Sequence, residues 1–145
     1  MLSTYPAIFF KEENGYSVIF PDLNYLSTCG KTLDEAFSMA IDCLAGYLYW
    51  ILQDEEPFPV SSSIDKVDAH SISEELGFDF EDCFVNIISV DVAEYAKTHF
   101  EKSVKKTLTI PAWLNKAALE QNINFSQVLQ KALMDIIKPS VKTTK

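Results

Sequence analysis

Residues 105–139 leave the chain few ways to fold. KKTLTI (105–110) alternates polar and apolar side chains as a strand does, and Pro111 ends it. Residues 112–121 then read as a helix and 122–125 as a turn. Ser126 is the expected cap of a second helix, on which Val128, Leu129, Ala132, Leu133, Ile136 and Ile137 make an apolar stripe closed by Pro139. One six-residue strand has two unpaired edges, and two short helices bury too little to offset the entropy of ordering so small a piece. The unit must therefore be completed by another copy. If two strands align antiparallel, Leu108 and Ile110 enter a shared four-helix core, while Lys105, Thr107 and Thr109 line the outer face of a two-stranded ribbon. Such a ribbon fits the major groove of DNA, where hydroxyl and ammonium groups meet base edges.

Charge divides the chain near the same place. Of its 145 residues, 1–100 hold 18 Asp/Glu and 4 Lys, and 101–145 hold 3 Asp/Glu and 8 Lys. The first part is therefore close to −14 and the second close to +5, with no arginine in either. A basic end suits phosphates; an acidic body suits a basic protein and repels free nucleic acid. Cys29, Cys43 and Cys83 are odd in number and far apart, which offers neither a disulfide framework nor a zinc site. No signal segment or membrane-spanning run is apparent, so a cytoplasmic protein with no membrane association is expected.

Residues 4–10 and 16–20 are rich in aromatic and β-branched types. Glu13-Asn14-Gly15 between them supplies a positive-φ hairpin turn. After Pro21-Asp22-Leu23, residues 25–29 read as a third strand ending at Gly30. Thr32 and Glu35 form a capping box, and Leu33, Phe37, Ala40, Ile41, Leu44, Leu48 and Ile51 mark a helix running to about Gln53. Residues 54–82 look like an insertion, with 64–82 a loop holding one helical turn around 73–76. Residues 84–92 (FVNIISVDV) form a nearly continuous β-branched run that predicts a strand buried in the sheet. The order is βββαβ, a two-layer α+β domain over 1–95. A linker at 96–103, a DNA-binding unit at 104–139 and a disordered tail at 140–145 are expected to follow.

The stretch VKKTLTIPAWLNKAALEQNINFSQVLQKALMDII resembles the ribbon-helix-helix superfamily. That resemblance implies base reading by the outward strand residues Lys105, Thr107 and Thr109. It also implies phosphate binding at the start of the second helix by Ser126 and Gln127, with Lys131 the one basic residue nearby. The stretch GYSVIFPDLNYLSTCGKTLDEAFSMAIDCLAGYLYWIL resembles antitoxins of the HicB family, through Pro21, Asp22, Leu23, Gly30, Thr32, Glu35 and Ala36. This second resemblance implies a partial ribonuclease H-like fold and a toxin–antitoxin system. Its partners would be a small basic messenger-RNA-cleaving toxin of the HicA family, operator DNA, and a second copy in a dimer or tetramer that represses its own operon.

Two other classes stand beside this one. A stand-alone ribbon-helix-helix repressor would use its acidic domain to sense a ligand or recruit a protein. A metal-dependent nuclease would need carboxylates gathered around two divalent ions, and Asp22, Asp34, Glu35, Asp91 and Glu94 are the candidates by type. Asp34 and Glu35 are accounted for by the helix start and Asp22 by a turn. His70 and His99 have no partner at catalytic spacing. The expectation is a non-enzyme with no catalytic residues, no metal and no cofactor.

Overall fold

The computed structural model describes residues 1–137, which fall into two compact units, Met1–Lys102 and Ser103 onward. The first is built on one antiparallel sheet of strands β1 (Ser3–Glu12), β2 (Gly15–Phe20), β3 (Leu26–Gly30) and β4 (Asp82–Val90), in the order β3-β2-β1-β4. The β1–β2 hairpin closes through Glu13 and Asn14, with Glu12 opposite Gly15 and Ile8 opposite Ile19. Positive φ falls on Gly15 alone in this loop, at 141°.

Every residue from Tyr5 to Phe10 is buried, because both faces of the sheet are covered. On one face Tyr5, Ala7, Phe9, Val18 and Phe20 meet the apolar stripe of α1 (Leu33–Gln53), namely Ala36, Ala40, Leu44 and Leu48. Thr32 starts this helix by accepting the Glu35 amide (3.2 Å). The Glu35 carboxylate reaches back one residue further than the expected box, to the amide of Lys31 (2.7 Å).

The opposite face corrects the two-layer expectation. Residues 64–82 are not a loop: a 3-10 turn (Ile64–Lys66) leads into α2 (Ala69–Leu76), which Asp68 caps by accepting the Ser71 amide. Gly77 at φ 72° ends it. This segment covers Ile8, Phe10 and Ile19 with Val67, Ala69, Ile72, Phe78 and Phe80, and Phe10 meets Phe78 edge-on at 4.8 Å. Burying two side chains as large as Ile8 and Phe10 contributes roughly 1.5–3 kcal/mol each. Upstream, residues 59–62 are tied down where the Tyr5 hydroxyl donates to the Pro59 carbonyl (2.6 Å). Ser62 donates both its amide and its hydroxyl to Asp22 (2.7 Å each).

The predicted strand at 84–92 exists as β4, but at an edge of the sheet rather than inside it. Ile88 and Val90 face the α1 core and Val85 the α2 core, while Phe84 stacks on Phe9 at 4.8 Å. The amides of Cys83 and Ile87 are taken by the side chains of Asp82 and Asn86, which blunts an edge otherwise open to stray pairing. The expected linker begins inside a helix. In α3 (Val92–His99), capped by Asp91, Val92 and Ala96 are buried; the Tyr95 hydroxyl donates to Asp42, and Phe100 meets Tyr49 at 5.3 Å.

The second unit comprises α4 (Ala112–Glu120) and α5 (Phe125–Ile137), joined through Asn122 at φ 53°. None of its residues from Ser103 to Ile137 is buried. Residues 102–111 have no regular secondary structure, so the expected strand at 105–110 is absent from the single chain. A strand is defined by its neighbour's hydrogen bonds, and one chain offers this segment none. Pro139 and the expected tail at 140–145 lie outside the described residues.

Gly30 tests the seating of α1. A Cβ there would lie 2.4 Å from the Ala36 amide nitrogen and 2.7 Å from its Cα, where no side chain can move aside. Gly30→Ala should destabilise the first unit by about 3 kcal/mol, read as a lower urea midpoint. An unchanged midpoint would contradict the close approach of β3 and α1.

Candidate partner and nucleic-acid interfaces

The second unit brings the expected DNA-contacting residues to its surface without yet forming a site. Lys105, Thr107 and Thr109 are exposed on the irregular segment, and so are Leu108 (61%) and Ile110, the residues expected to face a core. Trp113, Leu114, Leu133, Met134, Ile136 and Ile137 on the two helices are exposed as well. So much apolar surface on about 35 residues is a docking face.

Ser126 does not cap α5. The helix begins one residue earlier, and Asn124 performs that role: its side-chain oxygen accepts the Gln127 amide (3.1 Å) and its carbonyl accepts the Val128 amide (3.1 Å). Asn124 and Gln127 stand three apart, the spacing of a cap and its third helical residue. That signal was present, but Ser126 is the more conspicuous residue. Ser126 and Gln127 thus lie within the first turn. Gln127 already gives its amide to Asn124, so any phosphate held there would rest on the amides preceding it.

In the first unit the five candidate carboxylates are dispersed. Asp22 holds Ser62, Glu35 holds the Lys31 amide, and Asp91 caps α3 while pairing with the N-terminal ammonium (2.7 Å). Glu94 pairs with Lys97 (3.1 Å), and Asp34 lies exposed in the first turn of α1. The ammonium, followed by the Glu94 amide, holds the Asp91 carboxyl below its ordinary value. Among the described residues no three His, Cys, Asp or Glu side chains gather where a metal ion could be held. His70 lies against Phe80 at 5.4 Å and His99 stacks on Tyr95 at 3.8 Å. No described helix is long and apolar enough to cross a membrane.

Two hollows interrupt this surface. One of about 340 Å³ lies between α1, β4 and α3, lined mainly by Ile41, Val90, Tyr95 and Thr98 with Asp91 and Glu94 beside them. The other, about 300 Å³, adjoins the hairpin turn and contains Cys29, Lys31 and Glu35.

The molecule is thus an acidic α+β sheet domain joined to a basic helical unit that lacks its own core. A family model described as the HicB-like antitoxin of bacterial toxin-antitoxin systems matches residues 5–133, and the chain belongs to that family. It is 30% identical over 111 residues to a 14.9 kDa protein from the rep-hol intergenic region of Haemophilus phage HP1 (strain HP1c1), covering 76% of this chain and 74% of that one. It is 36% identical over 59 residues to Antitoxin HicB 2 of Photorhabdus laumondii subsp. laumondii, covering 41% of this chain and 42% of the relative. Among solved structures it is similar to a chain of a toxin–antitoxin complex from Streptococcus pneumoniae. That match has 31% identity and a TM-score of 0.60, covering 93% of this chain and 99% of the other.

The thiols differ in access. Cys29 is exposed, while burial followed by a neighbouring carboxylate, Asp42 or Asp82, pushes the Cys43 and Cys83 thiols up from their ordinary value. A raised thiol holds less reactive thiolate at pH 8. Limiting iodoacetamide at that pH should therefore modify Cys29 several-fold faster than the other two, as read by peptide mass spectrometry. Equal rates would contradict the placement of Cys43 on α1 against β3.

Proposed function

We propose that this chain is an antitoxin whose acidic unit binds and neutralises a small basic HicA-type messenger-RNA-cleaving toxin in the cytoplasm. Its basic unit, as a dimer, binds operator DNA and represses the operon. Family membership supports the antitoxin role, and the similar chain from Streptococcus pneumoniae comes from a structure described as a toxin–antitoxin complex. The charge division supports the assignment of partners: close to −14 on residues 1–100 attracts a cationic protein, and close to +5 on the remainder attracts phosphate.

One observation carries the DNA-binding half. Among the described residues the second unit has two well-formed helices, no buried residue, and an alternating segment, residues 105–110, with no strand to pair with. Antiparallel pairing of that segment between two copies satisfies its backbone, buries Leu108 and Ile110 among four helices, and sets Lys105, Thr107 and Thr109 on one outer face. The result is a ribbon-helix-helix dimer over residues 104–139. In it the ribbon reads bases and the start of α5, at Ser126 and Gln127, seats on the phosphate backbone. The first unit supplies the partial ribonuclease H-like fold, acting here as a binding surface and not as a nuclease.

Gel-shift titration at two salt concentrations, on operator and scrambled DNA, tests this. Thr107→Ala with Thr109→Ala should cost roughly 1–3 kcal/mol of discrimination per lost contact and leave toxin binding intact. Lys105→Ala should weaken binding to both DNAs and reduce the salt slope by about one. Leu108→Lys should abolish dimerisation, because it places a charge in the shared core. A double threonine variant that still selects the operator with the original ratio would remove the ribbon as the reading element.

A further inference from the structure

We infer that the toxin docks on one face of α1, the stripe formed by Met39, Cys43, Gly46 and Trp50. This deepens the antitoxin reading and rests on it. The four residues stand at intervals of four, three and four along one side of the helix, flanking the Ala40, Leu44 and Leu48 stripe that faces the sheet; Met39 and Trp50 are exposed, while Cys43 is half-buried at the β3 edge of this side, its thiol donating to the Ser27 carbonyl (3.8 Å). Trp50 is 71% exposed and Met39 40% exposed. A tryptophan this open contributes nothing to the core, yet its indole is the kind of side chain that dominates protein interfaces once buried.

Gly46 is the telling residue. It lies in the middle of a 21-residue helix, where glycine costs about 1 kcal/mol relative to alanine. Nothing in the fold requires it: φ is not positive, and an added Cβ would meet only the Phe100 ring, at an ordinary 3.9 Å. What glycine provides there is a bare backbone that lets another chain approach closely between Cys43 and Trp50.

Charge identifies the occupant. The helix carries Asp34, Glu35 and Asp42 and no basic residue, and Asp54, Glu55 and Glu56 follow its last residue. Carboxylates beyond a helix C-terminus oppose its dipole, and cations are what that end favours. Among the described residues none of these six forms an ion pair. A second copy would set these carboxylates against their own equivalents, and RNA would be repelled outright. A cationic protein with apolar side chains, such as a small basic toxin, satisfies both the stripe and its rim.

The test uses the full-length chain and the purified toxin of the same operon, with affinity measured by calorimetry. Trp50→Ala should weaken binding roughly 30-fold or more. Gly46→Leu should weaken it comparably by filling the gap, while Gly46→Ala in the free chain should keep or raise the melting temperature. In a Trp113→Phe background Trp50 is the sole indole, and its emission should shift to the blue when toxin binds. Wild-type affinity in both variants, with no emission shift, would overturn the docking face and leave the antitoxin reading standing. If the variants change only the oligomeric state of the free chain, the face belongs to a second copy and the inference falls. If the unmodified chain fails to bind toxin at all, this inference and the antitoxin reading fall together.

Discussion

The first unit depends on a central strand whose middle water never reaches. β1 carries alternate side chains to two different layers, Ala7 and Phe9 toward α1 and Ile8 and Phe10 toward α2, and every residue from Tyr5 to Phe10 is buried. A strand so placed demands cover on both sides. The long excursion between α1 and β4 provides the second cover, and the bonds from Ser62 to Asp22 and from Tyr5 to Pro59 hold the start of that excursion against the sheet.

The second unit is the opposite case. Its helices have good local starts, with Asn124 capping α5, but helix propensity alone seldom stabilises pieces of 9 and 13 residues. Its apolar side chains remain exposed, and its one extended segment has no neighbour. If a second copy supplies that neighbour, as proposed, folding and association become one process for this part of the chain, and its stability depends on protomer concentration. In the proposed repressor that coupling would supply a physical basis for control, since a DNA-reading ribbon would exist only where two copies have met.

The sequence made some of this legible and hid the rest for identifiable reasons. The hairpin, the Thr32 cap and the end of α1 at Gln53 were readable because each rests on residues within four of one another. Residues 64–82 misled because the apolar groups that cover the sheet, Val67, Ile72, Phe78 and Phe80, are spread through a segment rich in Asp, Glu and Ser. The cap at Asp68 and the glycine stop at Gly77 were nonetheless present. The apolar run of β4 suggested an interior strand, whereas its odd and even residues serve two separate cores at an edge. α3 has few large apolar groups, and small Ala96 allows its close contact with the core. The surface residues expected to read DNA were drawn from an alternating pattern that a single chain does not complete as a strand.

Under the proposed function, local sequence choices that the fold does not require mark where each unit meets other molecules. Gly46 and the carboxylates after Gln53 are unfavourable for α1 by itself, and Leu108 and Ile110 are unfavourable for an isolated segment. The central claim is that residues 105–110 become a strand only between two chains. Amide hydrogen exchange across a dilution series tests it most directly. The account predicts slow exchange at alternate amides of this segment when the chain is dimeric, lost on dilution to monomer, while β1 stays protected throughout. Free exchange of residues 105–110 in a sample shown by light scattering to be dimeric would contradict it.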